Sequence, residues 1–129
     1  MVHAIGHALG GVCRVPHGDA MTILLPHCME YNLDVVGDLY GKLFLHLGGY
    51  EAFVAADRAD HPRLSIEKIR GMAARFHDQC GLPTRLSDCG VSKDDFEAVA
   101  RTALNDGAMI VNPKQVDFDD VIAVLNAAY

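Results

Sequence analysis

Three histidines fall within the first seventeen residues: His3, His7 and His17. Imidazole binds divalent first-row metals and titrates near neutral pH, so a histidine cluster can hold an ion or carry a proton. His3 and His7 are four residues apart, which on a helix puts them on one face with a rise of about 6 Å between them. That pair alone is weak evidence. The zinc-protease version of HxxxH needs Glu directly after the first His, where this chain has Ala4. His17 adds a second constraint, because Pro16 biases Val15 away from helical geometry just before a new helix. A histidine at such a corner is held in a fixed direction.

The order of anchors is more specific than any one of them. His3-Ala-Ile-Gly-His7-Ala-Leu-Gly-Gly is followed by Pro16-His17-Gly18-Asp19 and then by Leu24-Leu25-Pro26-His27-Cys28-Met29-Glu30-Tyr31-Asn32. Together they resemble the signature region of the iron-type (group III) alcohol dehydrogenases. The likeness continues through Gly81-Leu-Pro83, Leu86-Ser-Asp-Cys-Gly90-Val91, Leu104-Asn-Asp106, Asn112-Pro113 and the terminal Ala128-Tyr129, and so covers essentially the whole chain.

The resemblance implies one all-α domain over residues 1–129, a compact multi-helix bundle like the C-terminal domain of the dehydroquinate synthase-like, iron-type alcohol dehydrogenase fold. Such a domain forms one wall of a cleft, and a nucleotide-binding α/β domain forms the other. In that family one Asp and three His hold the metal. The last two of those histidines match His3 and His17, and His7 matches a further histidine near the nicotinamide that is implied to assist proton transfer. The implied cofactors are a divalent metal, with Fe2+ expected first and Zn2+ second, and NAD or NADP. Implied substrates are small alcohols or aldehydes. Maleylacetate reductases share the pattern and work without the metal, but there Pro-His is usually followed by Ala and Glu; Gly18 and Asp19 lean toward the alcohol dehydrogenase branch.

The family's glycine-rich strand-turn-helix, its metal-binding Asp and the first metal-binding His lie upstream of the His3 motif and are not among these residues. Two imidazoles make half a site, so the isolated chain is expected to bind metal weakly or not at all and to lack activity. Its expected partner is a nucleotide-binding half. An apolar wall built to be covered drives association, so homo-oligomers are also expected. The competing reading is a non-catalytic helical module that only oligomerises.

Composition narrows the classes further. A formal charge of −6 and a pI near 5.5 argue against nucleic acid as a partner, since such binding rests on clustered Lys and Arg. Thr22, Pro26 and His27 interrupt the most apolar stretch, and no signal peptide is recognisable, so neither a membrane span nor export is expected. Cys13, Cys28, Cys80 and Cys89 form no CxxC pair and read as reduced thiols of a cytoplasmic protein.

Helical periodicity runs through the chain, which by itself predicts an all-α fold. Val2 to Cys13 is the first predicted helix, with Gly6 and Gly10 spaced so that a neighbour can approach. Gly18 to Asn32 is the second, kinked at Pro26. Asp34 starts a third that presents Val36, Leu39, Tyr40, Leu43 and Leu47 and stops at Gly48 and Gly49. Glu51 to Leu64 is the least regular stretch. Ser65 then caps a helix with the stripe Ile66, Ile69, Ala73 and Phe76, ended by Gly81 and Pro83. Ser92 with Asp95, and Asp117 with Asp120, begin the last two helices as capping boxes. His27 reads as structural. His46, His61 and His77 stand outside any constellation and read as surface residues. By the resemblance, Asp106 and Asn112-Pro113 match a segment close to the active-site cleft, but Asp at a helix end and Asn before Pro are also ordinary helix terminators, and that structural reading is preferred.

Overall fold

The computed structural model describes residues 1–129 and contains helices and turns, with no strand. Helix α1 (Val2–Cys13) and helix α2 (His17–Tyr31) lie against one another at the start of the chain. Their closeness depends on Gly6, where a Cβ would collide with the methyl group of Met21. Gly10 has no comparable constraint; its nearest neighbour is the Val15 carbonyl at 3.7 Å. Three further helices, α3 (Leu33–Gly48), α4 (Tyr50–Ala55) and α5 (His61–Cys80), follow, and α6 (Phe96–Leu104) and α7 (Phe118–Ala127) close the chain.

One core runs through α1, α2, α6 and α7. Ile5 and Leu9 meet Ile23 and Leu24, Val99 and Ala103, and Val121 and Leu125, all removed from water. The last two helices start as their sequences require. Ser92 accepts from the Asp94 N–H while Asp95 accepts from the Ser92 N–H, and Asp117 and Asp120 exchange the same pair of bonds. All four cysteines are free.

The α3–α5 layer departs from the predicted stripes. Only Phe44 of α3 is buried, and Leu39 is 60 % exposed. Val36, Tyr40, Leu43 and Leu47 of the predicted stripe are half-buried, and Gly37, Gly41 and Phe44 add to the packed face, with a Cβ at either glycine landing 3.6–3.9 Å from Pro62. Glycine carries no hydrophobic signal, so a face built for close backbone approach is invisible to periodicity. Helix α5 begins at His61, with Pro62 in its first turn, so Ser65 is not its cap. Ser65 lies inside the helix and donates to the Tyr40 carbonyl at 2.6 Å. Along the rest of the stripe Ile69 and Ala73 are half-buried, Ala73 beside the α2 residues Ile23 and Pro26, and Phe76 is 42 % exposed.

The stretch expected to be least regular contains α4 and the first turn of α5. His61, expected on the surface, is buried against the rings of Phe53 and Phe44, with centroids 4.2 and 5.3 Å away. Pro26 is carried within α2, and the departure from helical torsions falls at Val36 in α3, with φ −122° and ψ 17°. No helix is long and apolar enough to cross a membrane.

Candidate metal and proton-transfer centre

Helix α1 buries Ala4, Ile5, Ala8 and Leu9 and turns His3 and His7 to the opposite, exposed side. Arg14 ends the helix in the left-handed conformation (φ 60°, ψ 27°), the sole non-glycine residue with positive φ. Pro16, extended at φ −57° and ψ 138°, then precedes α2. This reversal brings His17 back over the first turns of α1.

The three rings form a nearly equilateral triangle. Centroids are 5.9 Å apart for His3 and His7, 5.7 Å for His3 and His17, and 5.6 Å for His7 and His17. A metal–nitrogen bond of about 2.0–2.1 Å puts an ion about 3.2 Å from each ring centre, so two rings sharing an ion can be separated by at most about 6.4 Å. Every pair meets that limit. The three side chains nevertheless are not arranged to hold one ion between them. His3 and His17 thus fit as part of a donor set, and choosing them over His7 rests on the family motif.

His7 has another partner. Its Nδ1 lies 2.8 Å from Oδ2 of Asp106, a residue 99 positions away. The other carboxylate oxygen of Asp106 accepts the Ala108 N–H at 2.7 Å. That backbone bond, and secondly the bond to His7, holds the Asp106 carboxyl below the usual carboxylate range. The helix-terminator reading of Asp106 covers only part of its role. Asp106 caps the 3₁₀ turn Gly107–Met109, and it also joins the histidine cluster. The one signal for this was its place in the family-like segment Leu104-Asn-Asp106.

Other histidines lie apart from the triangle. His27 lines a cavity of about 310 Å³ with Arg70 and Arg85, and its buried Nδ1 has no hydrogen-bond partner. Burial pushes its pKa down, and the nearest carboxylate, Glu30, is engaged by Arg70 through bonds of 2.7 and 2.8 Å. His77 is bonded to the Leu82 carbonyl, and His46 is exposed. Sulfur is a poor candidate ligand here, since burial pushes the Cys28 thiol up to about 12 and also raises Cys13 and Cys89. Asn112, read as a terminator, forms a reciprocal amide pair with buried Asn32 at 2.9 and 3.0 Å, which ties the segment before α7 to the end of α2.

Residues 1–129 match, from first to last, the family model described as "Fe-containing alcohol dehydrogenase family, C-terminal". The chain belongs to the iron-containing alcohol dehydrogenase family. Within it, the lactaldehyde reductase of Escherichia coli strain K12 is 32% identical over 133 residues, covering 100% of this chain and 32% of that protein. A maleylacetate reductase of Pseudomonas knackmussii is 32% identical over 127 residues, covering 98% of this chain and 31% of that protein. The fold matches the crystal structure of a 1,3-propanediol oxidoreductase with a TM-score of 0.86 and 31% identity, over 99% of this chain and 32% of that one. The chain therefore spans about a third of the length of the relatives it matches. Those relatives carry the names of oxidoreductases.

Proposed function

We propose that this chain is the metal-binding helical domain of an NAD(P)-linked alcohol dehydrogenase acting on small alcohols or aldehydes. The observation that carries this reading is the 5.7 Å separation of the His3 and His17 rings on an exposed face, in a chain of this family. His3 and His17 would hold a divalent ion, iron first and zinc second, with the remaining ligands supplied from outside these 129 residues. When bound, the ion supplies Lewis acidity at the substrate oxygen while hydride passes to or from the nicotinamide.

The chain's own residues have three tasks in this scheme. Helix α1 fixes the direction of His3 through its buried face, and Arg14 and Pro16 fix that of His17. His7 lies within reach of both and carries the hydroxyl proton away from the reacting oxygen. All three rings are exposed here, and the opposing nucleotide-binding half would cover them and exclude water. Alone, the chain binds metal weakly and turns nothing over.

Mixing the chain with a separately expressed nucleotide-binding half should give metal-dependent, alcohol-dependent NADH formation. His3→Ala and His17→Ala should each abolish metal retention while leaving the helical content unchanged. Two folded halves that form no NADH with iron or zinc would instead support a helical module that only associates. The maleylacetate reductase among the relatives motivates a second arm. Reduction that survives complete chelation would move the assignment to that metal-free branch.

A further inference from the structure

We infer that Asp106 is a positioning residue for His7, holding its imidazole in the tautomer with the proton on Nδ1 so that Nε2 alone can accept a proton. The inference rests on the functional reading above and extends it to a residue outside the histidine motif. An ionised carboxylate only accepts hydrogen bonds, so a 2.8 Å contact between Oδ2 and the His7 Nδ1 requires that Nδ1 donate. The two oxygens of Asp106 have separate partners, Oδ1 taking the Ala108 N–H at 2.7 Å and Oδ2 taking His7. Rotation of the carboxyl group is thereby restrained, and so is the ring it holds.

No protein group is bonded to the His7 Nε2, and the ring centre stands 5.9 Å from His3 and 5.6 Å from His17. A lone pair there is available to a proton leaving an oxygen bound beside those two residues. The opposite tautomer would present Nε2–H and could accept nothing at that nitrogen. Orientation by a carboxylate behind the ring is the same physical device that fixes the base in hydrolase triads.

A purely structural role for Asp106, capping the turn Gly107–Met109, predicts a different outcome when Asn replaces it. In Asp106→Asn the side-chain oxygen keeps the Ala108 N–H, and the amide NH2 then faces His7 and donates to Nδ1. The cap survives while the tautomer inverts.

Long-range 15N correlation NMR on the labelled chain, at about pH 8.5 where ordinary imidazoles are neutral, reads this directly. The native chain should show Nδ1 protonated and Nε2 bare at His7. Asp106→Asn should show the reverse, and Asp106→Ala should lose the preference for Nδ1–H, in chains of equal helical content. An Nε2–H tautomer in the native chain, or one pattern shared by the native chain and Asp106→Asn, overturns the inference. These spectra need neither metal nor nicotinamide, so they stand or fall independently of dehydrogenase activity. In the reconstituted enzyme, Asp106→Asn should lower kcat on the order of 10²-fold with unchanged metal content and KM. An unchanged kcat in a variant whose tautomer has inverted would also overturn it.

Discussion

Ser65 on α5 donates a hydrogen bond to the backbone carbonyl of Tyr40 on α3 at 2.6 Å, from a position with no exposure to water. Tyr40 lies inside α3, where a helical carbonyl accepts from the N–H four residues on, so losing the hydroxyl should leave no orphaned acceptor. Ser65→Ala should therefore cost only about 1 kcal/mol. With a urea slope of about 2 kcal/mol per M, the unfolding midpoint should fall by about 0.5 M. A shift several times larger would show that Ser65 does more than join the two helices.

Arg14 is held in the left-handed conformation at the turn that returns His17 to α1. Relief of about 1–2 kcal/mol of backbone strain by glycine is partly offset by about 0.4–1 kcal/mol of added chain freedom in the unfolded state. Arg14→Gly should raise stability by about 0.5–1 kcal/mol and increase Tm. Arg14→Val should lower it, because a β-branched residue tolerates positive φ least. Thermal unfolding followed by circular dichroism distinguishes the two.

Leu125 and Leu39 are the same residue type in opposite settings, one fully buried in the main core and the other 60 % exposed on α3. Leu125→Ala should cost about 2–5 kcal/mol, and Leu39→Ala should stay within about 0.5 kcal/mol of the native chain. Equal losses would mean that α3 is covered on the face that is open here.

As far as side chains are concerned, stability should fall with acid in two stages. Burial depresses the His27 pKa, so the unfolded chain takes up that proton first, and stability begins to drop below about pH 6.5. Asp106, Asp120 and Glu30 are also held below their ordinary values. For Asp106 the first cause is the Ala108 N–H, for Asp120 the Asp117 N–H, and for Glu30 the Arg70 guanidinium. Their contributions are complete above the unfolded values and are lost below about pH 4, as pH falls through the folded ones. Urea midpoints measured across this range should show both stages, and His27→Phe should remove the upper one alone.

Ile110 and Val111 are more than four-fifths exposed, and Tyr50, Val54 and Val35 are more than half exposed. Ile110 and Val111 are adjacent, so together they offer the apolar spot best placed to favour association. Light scattering should report dimers or larger species, and Ile110→Lys with Val111→Lys should shift them toward monomer. A native chain that stays monomeric at high concentration would count against association through Ile110 and Val111.

Local sequence determined what depends on neighbours a few residues apart. The capping pairs Ser92–Asp95 and Asp117–Asp120, the buried stripes of α6 and α7, the corner at Pro16 and the sharing of one face by His3 and His7 all follow from side-chain chemistry and helical spacing. Family-like anchors added the expectation that His17 joins His3, which spacing alone leaves open. Tertiary structure decided the rest. Gly37 and Gly41 became a packing face because Pro62 arrives there, Ser65 became a bridge instead of a cap, and His61 went inside against two phenylalanine rings. Asp106 reaches His7 across 99 positions, a pairing that no periodicity encodes. Local rules report how a residue biases its own backbone, whereas a partner distant in the chain is chosen only when packed helices bring two surfaces within hydrogen-bonding range.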